Sequence, residues 1–314
     1  MYISKLKDIN TAELRNTNEE AVHILHNVIT AYDAIILRKQ QLIKHGDNKP
    51  LYVLLGEQHD SVSQKIAGTL LIKCLSETRY AENTPADTAY KPIVTALEHP
   101  ITIKSPTPLN DERGNKVICS QSAANIDHLL NVHFSKNTPL TMKYFQMALS
   151  SMQHRLTTIF SDVARHDNRT LNLPNHTDDG IDPRNEKGLH IRNKHMSAAL
   201  QKEALKHDAP LAIQVCGQAH VNGGEFCSQK YGLANIYKSA SQNTFCVFWE
   251  ESCANTFGLT DNEFFISRNM PERYISYNLL TKDGQNINEN QTGYKLEDQY
   301  LQDFTKALQG AAPF

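Results

Sequence analysis

Leu51-Tyr52-Val53-Leu54-Leu55-Gly56-Glu57-Gln58-His59 decides the fold. The apolar run from Leu51 to Leu55 lies between turn residues, is too short for an ordinary helix and lacks polar alternation, so it suits a strand buried on both faces. Gly56 ends it, and a residue without Cβ permits a sharp exit and close backbone approach to a ligand.

Before this strand, Ala21, Ile24, Leu25, Val28, Ile29, Tyr32, Ile35 and Ile36 recur at three- and four-residue steps, predicting an amphipathic helix from about Asn18 to His45. After it, Val62, Ile66, Ala67, Leu70, Leu71 and Cys74 give a second helical stripe, and Ile93-Val94-Thr95-Ala96-Leu97 a second buried strand. This is a βαβ unit, whose right-handed crossover brings both strand C-termini to one edge of a parallel sheet.

Residues Ile101 to Gln121 read as a loop, and the spacing of Met142, Phe145, Leu149, Met152, Leu156, Ile159 and Val163 predicts a long helix over Thr141 to His166. Asp167 to Gly188 has loop chemistry again. A helix from about Leu189 to His207 precedes strands at 211–216 and 244–249, with a weaker strand at Tyr274 to Leu280 and a closing helix from Leu296 to Leu308. The expected architecture is a single three-layer α/β/α domain over residues 1–314, with a largely parallel sheet and a helical, loop-rich insertion or cap over 101–188.

Composition narrows the function. With 32 Lys plus Arg against 34 Asp plus Glu, the net charge is -2, which provides no overall field to draw nucleic acid or anionic lipid. The N-terminus lacks the apolar stretch of a secretory signal and no segment reaches membrane-spanning length, so a soluble, cytoplasmic protein acting on a small molecule or peptide is expected. The six cysteines form no C-x-x-C pair and read as reduced, mostly structural thiols.

Three predicted strands end in chemistry-bearing residues: Glu57 and His59, then Glu98 and His99, then His220 in Gly217-Gln218-Ala219-His220. Strand C-termini form the ligand crevice of an open parallel sheet, so the five side chains could converge there. Imidazoles and carboxylates ligate divalent ions such as zinc, manganese or cobalt, and a spare carboxylate can deprotonate a bound water. One G-x-x-H in a chain with 14 histidines is a weak signal; its recurrence at the same structural place gives it weight. In His190-Ile191-Arg192-Asn193-Lys194-His195-Met196, helical spacing puts Arg192 beside the buried stripe through Met196. A partly buried arginine needs an anion: a substrate group, Glu57 or Glu98, or an internal acid that holds the helix to the sheet. His190 and His195 read as exposed. No Walker loop, dinucleotide fingerprint, G-x-S-x-G elbow or H-E-x-x-H helix occurs.

Taken together, YVLLGEQHDS (52–61), TALEHP (95–100), HIRNKHM (190–196) and QVCGQAHVNG (214–223) resemble the superfamily that joins erythromycin esterase, the Tiki and TraB-type proteases and the ChaN haem-binding lipoproteins. The resemblance implies a site containing Glu57, His59, Glu98, Arg192, Asn193 and His220, with His99 as an added member. On it, His59 and His220 with Glu57 are expected metal ligands, Glu57 or Glu98 a general base, Arg192 an oxyanion or substrate anchor, and Asn193 and His99 substrate contacts. The implied activity is metal-dependent hydrolysis of an ester or peptide bond. The alternatives are a protein that binds a haem-like ligand without turnover, or an interaction protein on the same fold. The chain departs from Tiki and ChaN proteins in showing no signal or membrane anchor.

Overall fold

A computed structural model describes residues 2–58, 61–78, 93–97, 102–104, 115–117, 156–162, 186–223, 229–251, 256, 258–272, 300, 303–304 and 306–311. Two short helices, α1 (Tyr2–Lys7) and α2 (Thr11–Thr17), lead into the long α3 (Glu19–Lys44). Asn18 caps α3 by accepting from the Ala21 N–H at 3.0 Å, Glu19 and Glu20 lie at its positive end, and Lys44 lies in its last turn. Of its apolar stripe Ile24, Leu25, Val28 and Ile35 are fully buried, while Ile29 and Ile36 are half-buried against the same core.

The strands are β1 (Leu51–Glu57), β2 (Ile93–Leu97), the short pair β3 (Thr102–Lys104) and β4 (Asn115–Val117), β5 (Leu156–Phe160), β6 (Leu211–Gly217), β7 (Asn243–Phe248) and β8 (Phe264–Ile266). The helices between them are α4 (Val62–Ser76), α5 (Glu186–Lys206), α6 (Gln218–Asn222) and α7 (Leu233–Ser239). Six strands form one sheet in the order β5-β2-β6-β1-β7-β8, every neighbouring pair parallel.

Alternate side chains of the central strands point to opposite faces and meet different helices. Leu51, Val53, Leu55, Ile213, Phe245 and Val247 join the core beneath α3 and α4. Tyr52, Leu54, Ala212, Cys216, Cys246 and Phe248 pack with Met196 and Leu200 of α5 and Leu233 and Tyr237 of α7. Tyr52 and Tyr237 stack at 4.7 Å between ring centres. The result is a three-layer α/β/α fold. Buried on both faces, these strands are the continuous apolar runs from which they were predicted.

Connection geometry follows from handedness. The chain runs β1–α4–β2 towards the β5 edge with α4 on one face. It runs β5–α5–β6 and β6–α7–β7 in the opposite direction with α5 and α7 on the other face, as right-handed crossovers require. Among the described residues, no helix is long and apolar enough to cross a membrane.

Three sequence expectations change. The helix over Thr141 to His166 does not extend through its second half, because residues 156–160 are a strand pairing in parallel with β2, from Ile93↔Leu156 to Leu97↔Phe160. Leu-Thr-Thr-Ile-Phe is dominated by β-branched and aromatic residues, and Leu156, Ile159 and Val163 fit a helical stripe only because a five-residue window cannot separate the two periods. The loop over 101–121 contains the antiparallel β3–β4 pair, Thr102↔Val117 to Lys104↔Asn115. Residues 186–188, read as loop, begin α5. Residues 306–311 are helical where a closing helix was expected, whereas the strand expected at Tyr274 to Leu280 and the loop over 167–185 lie outside the described residues.

Candidate active site at a strand-exchange crevice

Strands β1 and β6 are neighbours, yet the helices that next cross the sheet from them lie on opposite faces. Where neighbouring strands send their chains to opposite faces, a crevice opens beyond their C-terminal ends, and ligands of open α/β sheets bind there. The register puts Gly56 opposite Cys216 and Glu57 opposite Gly217. The two G-x-x-H turns therefore leave the sheet side by side, in the crevice that the topology creates. His59, Glu98 and His99 lie outside the described residues.

In the first turn, a Cβ on Gly56 would meet Gln218 Cγ at 3.0 Å and Val221 Cγ2 at 3.2 Å, so the glycine lets α6 seat on the end of β1. Gln58 N–H donates to Gln64 Oε1 at 2.7 Å, and Gln58 Nε2 donates to Glu250 Oε2 at 2.9 Å, which ties the turn to the residues following β7. Ser61 caps α4, its Oγ accepting from the Gln64 N–H. Glu57, an expected ligand or base, forms a largely buried ion pair with Lys65 Nζ at 3.1 Å.

The second turn opens the five-residue α6, which places His220 in the interior. Asn193, fully buried on α5, uses its amide group to donate to two carbonyls, His220 O at 3.2 Å and Tyr231 O at 2.7 Å. With both amide protons directed at acceptors, Asn193 Oδ1 must accept, and it faces His220 Nδ1 at 2.5 Å. His220 Nδ1 is then the donor, and in the neutral ring Nε2 carries the lone pair, the arrangement of a metal ligand or general base held by a second residue. Asn193, expected to contact substrate, thus directs its side chain at His220 and the Tyr231 carbonyl in the described structure. The start of α7 fixes the same turn from the other side. A Cβ on Gly232 would lie 2.8 Å from both Asn222 C and Val221 O, so backbone packs directly on backbone there.

Arg192 pairs with Asp162, just beyond β5, through Nε–Oδ1 at 3.0 Å and Nη2–Oδ2 at 2.7 Å. Of the partners the sequence left open, the described structure provides the internal acid in place of Glu57. The Asp162 side chain is 4% exposed and that of Arg192 13%, so this bidentate pair locks α5 against the end of β5. Beside it Ser161 hydrogen-bonds Gln214, whose Nε2 also donates to Ala96 O at 3.3 Å. His195 Nδ1 donates to Ser161 O at 2.8 Å while the residue remains exposed; His190, expected to be exposed, is half-buried against the Tyr231 ring. Asp162 went unnoticed in the sequence because the strand it follows was read as helix.

One further residue distinguishes the crevice. Gln218 is only 7% exposed, and among the described residues neither its Oε1 nor its Nε2 has a hydrogen-bond partner. A buried amide left unsatisfied costs about 1–3 kcal/mol, so a native protein that keeps one usually has a use for it. Among the described residues no three His, Cys, Asp or Glu side chains converge on one point, and the expected metal donor His59 and the expected base Glu98 lie outside them. A cavity of about 410 Å³ lies past the ends of β7 and β8, lined by Trp249, Glu250, Ser267 and Glu272 among others, and not between the two turns. It adjoins the crevice through the Gln58–Glu250 hydrogen bond.

No protein-family model, curated protein or solved structure matches the chain. Its residues and their geometry alone carry the functional reading.

Proposed function

We propose that the chain is a metal-dependent hydrolase acting on an ester or peptide bond in the crevice beyond β1 and β6. The observation that carries this reading is the fixing of His220 by Asn193, which leaves Nε2 as the lone-pair nitrogen beside the first G-x-x-H turn. That donor chemistry fits a divalent ion, which His220 and His59 would hold with Glu57 as a further ligand. When bound, such an ion would acidify a coordinated water and polarise the scissile carbonyl. Glu57 or Glu98 would accept the proton. Gln218, with a donor and an acceptor both unsatisfied, would hold the carbonyl or amide of the substrate. Arg192 acts through structure, holding the helix that carries Asn193.

A second reading is supported by the internal pairing of Glu57 with Lys65 and Arg192 with Asp162, which neutralises charge that catalysis would use. It is a protein that binds a haem-like ligand without turnover. Elemental analysis of protein purified without chelator, followed by calorimetric metal titration of His59→Ala, His220→Ala, the double variant and a His176→Ala control, tests the first reading. Each single variant should abolish most binding and the double should add little, because groups acting as a unit are non-additive. Wild-type affinity in both single variants would remove the metal site. A Soret shift on haem titration without metal-stimulated hydrolysis of ester or peptide substrates would favour the second reading.

A further inference from the structure

The cavity past β7 and β8 has a composition of its own. Among the described residues its lining consists of Trp249, Glu250, Glu251, Ser267, Asn269, Met270 and Glu272, with three carboxylates and no basic side chain. Glu251 and Glu272 are exposed at its rim, and Glu250 is half-buried and holds Gln58 Nε2. An acidic rim by itself is ordinary solvated surface. Ser267 is different: it is 3% exposed, it lines the same cavity, and its Oγ has no hydrogen-bond partner among the described residues. A buried hydroxyl without a partner is destabilising unless something outside the chain satisfies it.

The rim is held in shape before any ligand arrives. Ser267 N–H donates to Phe248 O at 2.8 Å, continuing the β7–β8 ladder by one residue. Asn27, buried on α3, accepts from the Arg268 N–H at 3.1 Å and donates to Arg268 O at 3.0 Å. Asn269 then takes a left-handed backbone, φ 55°, which asparagine adopts more readily than most residues and which turns the chain sharply at the rim. A rigid rim avoids the ordering cost that a loose loop would pay on binding.

Size and spacing identify the ligand class. A volume of about 410 Å³ is in the range of small-molecule sites, far beyond that of one ion. The three carboxylates do not converge with a common centre as metal ligands do. Charges spread around a cavity match charges spread along a ligand. We infer that this cavity binds a linear organic cation carrying two or more ammonium groups, with Glu250, Glu251 and Glu272 pairing its charges and Ser267 Oγ accepting from an N–H of the same molecule. The site is independent of hydrolysis in the neighbouring crevice, although Gln58 connects the two.

Spermidine is a suitable probe, titrated calorimetrically into the full-length protein at about 0.1 M ionic strength, where the Debye length is about 10 Å. Wild type should show saturable one-to-one binding. Glu251→Gln/Glu272→Gln, which removes two of the three rim charges, should weaken it about tenfold. Asp208→Asn/Asp261→Asn makes the same change of net charge just before β6 and β8, at the strand ends away from the cavity, and should leave affinity within about twofold, since screening weakens exposed charges farther off than a Debye length. Ser267→Ala should weaken binding severalfold yet leave the free protein as stable as before or more so, because it deletes an unsatisfied hydroxyl. Non-saturable binding to wild type, equal losses in the rim and control pairs, or wild-type affinity in the rim pair would each overturn the assignment. So would a calcium isotherm tighter than that of spermidine and lost in Glu251→Gln/Glu272→Gln, which would make the cavity a metal site.

Discussion

Replacing Asn193 with alanine removes one side chain and strands three partners: the carbonyls of His220 and Tyr231 and the N–H at His220 Nδ1. Asn193 is fully buried, so water reaches these groups only through the small cavity that the substitution creates. At roughly 1 kcal/mol or more for each orphaned buried group, with some recovery by a trapped water, the expected cost is about 3 kcal/mol. That is a large fraction of the 5–15 kcal/mol by which folded proteins are typically stable. Urea titration should show a lower midpoint at unchanged slope, the signature of lost stability without a change in exposed surface. Nitrogen NMR of the His220 ring should report hydrogen on Nδ1 in the wild type and loss of that preference in the variant. Asn193→Asp, nearly isosteric, keeps an acceptor for Nδ1 but turns its second oxygen against two carbonyls, and should also destabilise. A loss below about 1 kcal/mol in Asn193→Ala, with the His220 tautomer retained, would refute the assignment of Asn193 as its positioning residue.

Arg192→Met should cost about 3–5 kcal/mol by leaving the Asp162 carboxylate buried and unpaired, and Arg192→Met/Asp162→Leu should cost less than the single change. An unchanged thermal midpoint in Arg192→Met would show that its role is not structural. Burial, and then the charge of Glu77, push the Cys74 thiol up to about 12, and burial likewise raises Cys246. A raised value keeps the thiol protonated and unreactive below it, so iodoacetamide at mildly alkaline pH should label Cys74 and Cys246 in urea but not in the native protein, as read by peptide mass spectrometry. Native labelling at Cys74 would show that α4 opens far more readily than its packing indicates.

Where the sequence spoke clearly, burial was two-sided. Leu51–Leu55, Ile93–Leu97 and Leu211–Cys216 are continuous apolar runs because helices cover both faces of the sheet, and Asn18 and Ser61, which the structure shows as the caps of α3 and α4, carry a start signal the apolar spacing alone did not use. Strand β5 was misread because it forms the edge of the sheet and its apolar positions coincide with a helical stripe. Strand β8 has three residues, too few for any period to register. Within the site, Glu57 and His220 were visible from the repeated turn motif and the rule that strand ends form the crevice. What they touch was not: Lys65 reaches back to Glu57 from the first turn of α4, Asp162 lies after the misread strand, and Asn193 reaches His220 only because α5 packs on β6. Such partnerships depend on tertiary distance, which one sequence does not encode locally. Gln218 stood in plain view inside Gly217-Gln218-Ala219-His220, but nothing in the letters says that its amide goes unsatisfied.

The order of strands in the sheet has a consequence for biosynthesis. Strand β1 lies near the middle, flanked by β6 and β7, both of which are made long after it. At about 5–20 residues per second, the roughly 160 residues between Leu51 and Leu211 take about ten to thirty seconds to emerge from a ribosome. Throughout that interval this apolar strand has neither sheet neighbour, and until α5 is made the helices among the described residues that can shelter it, α1 to α4, cover one of its faces. The crevice, which exists only once β6 lies beside β1, is therefore among the last features to form. A nascent chain halted before residue 211 would carry the first G-x-x-H turn without its counterpart, and would present to chaperones the strand on which the finished fold is centred.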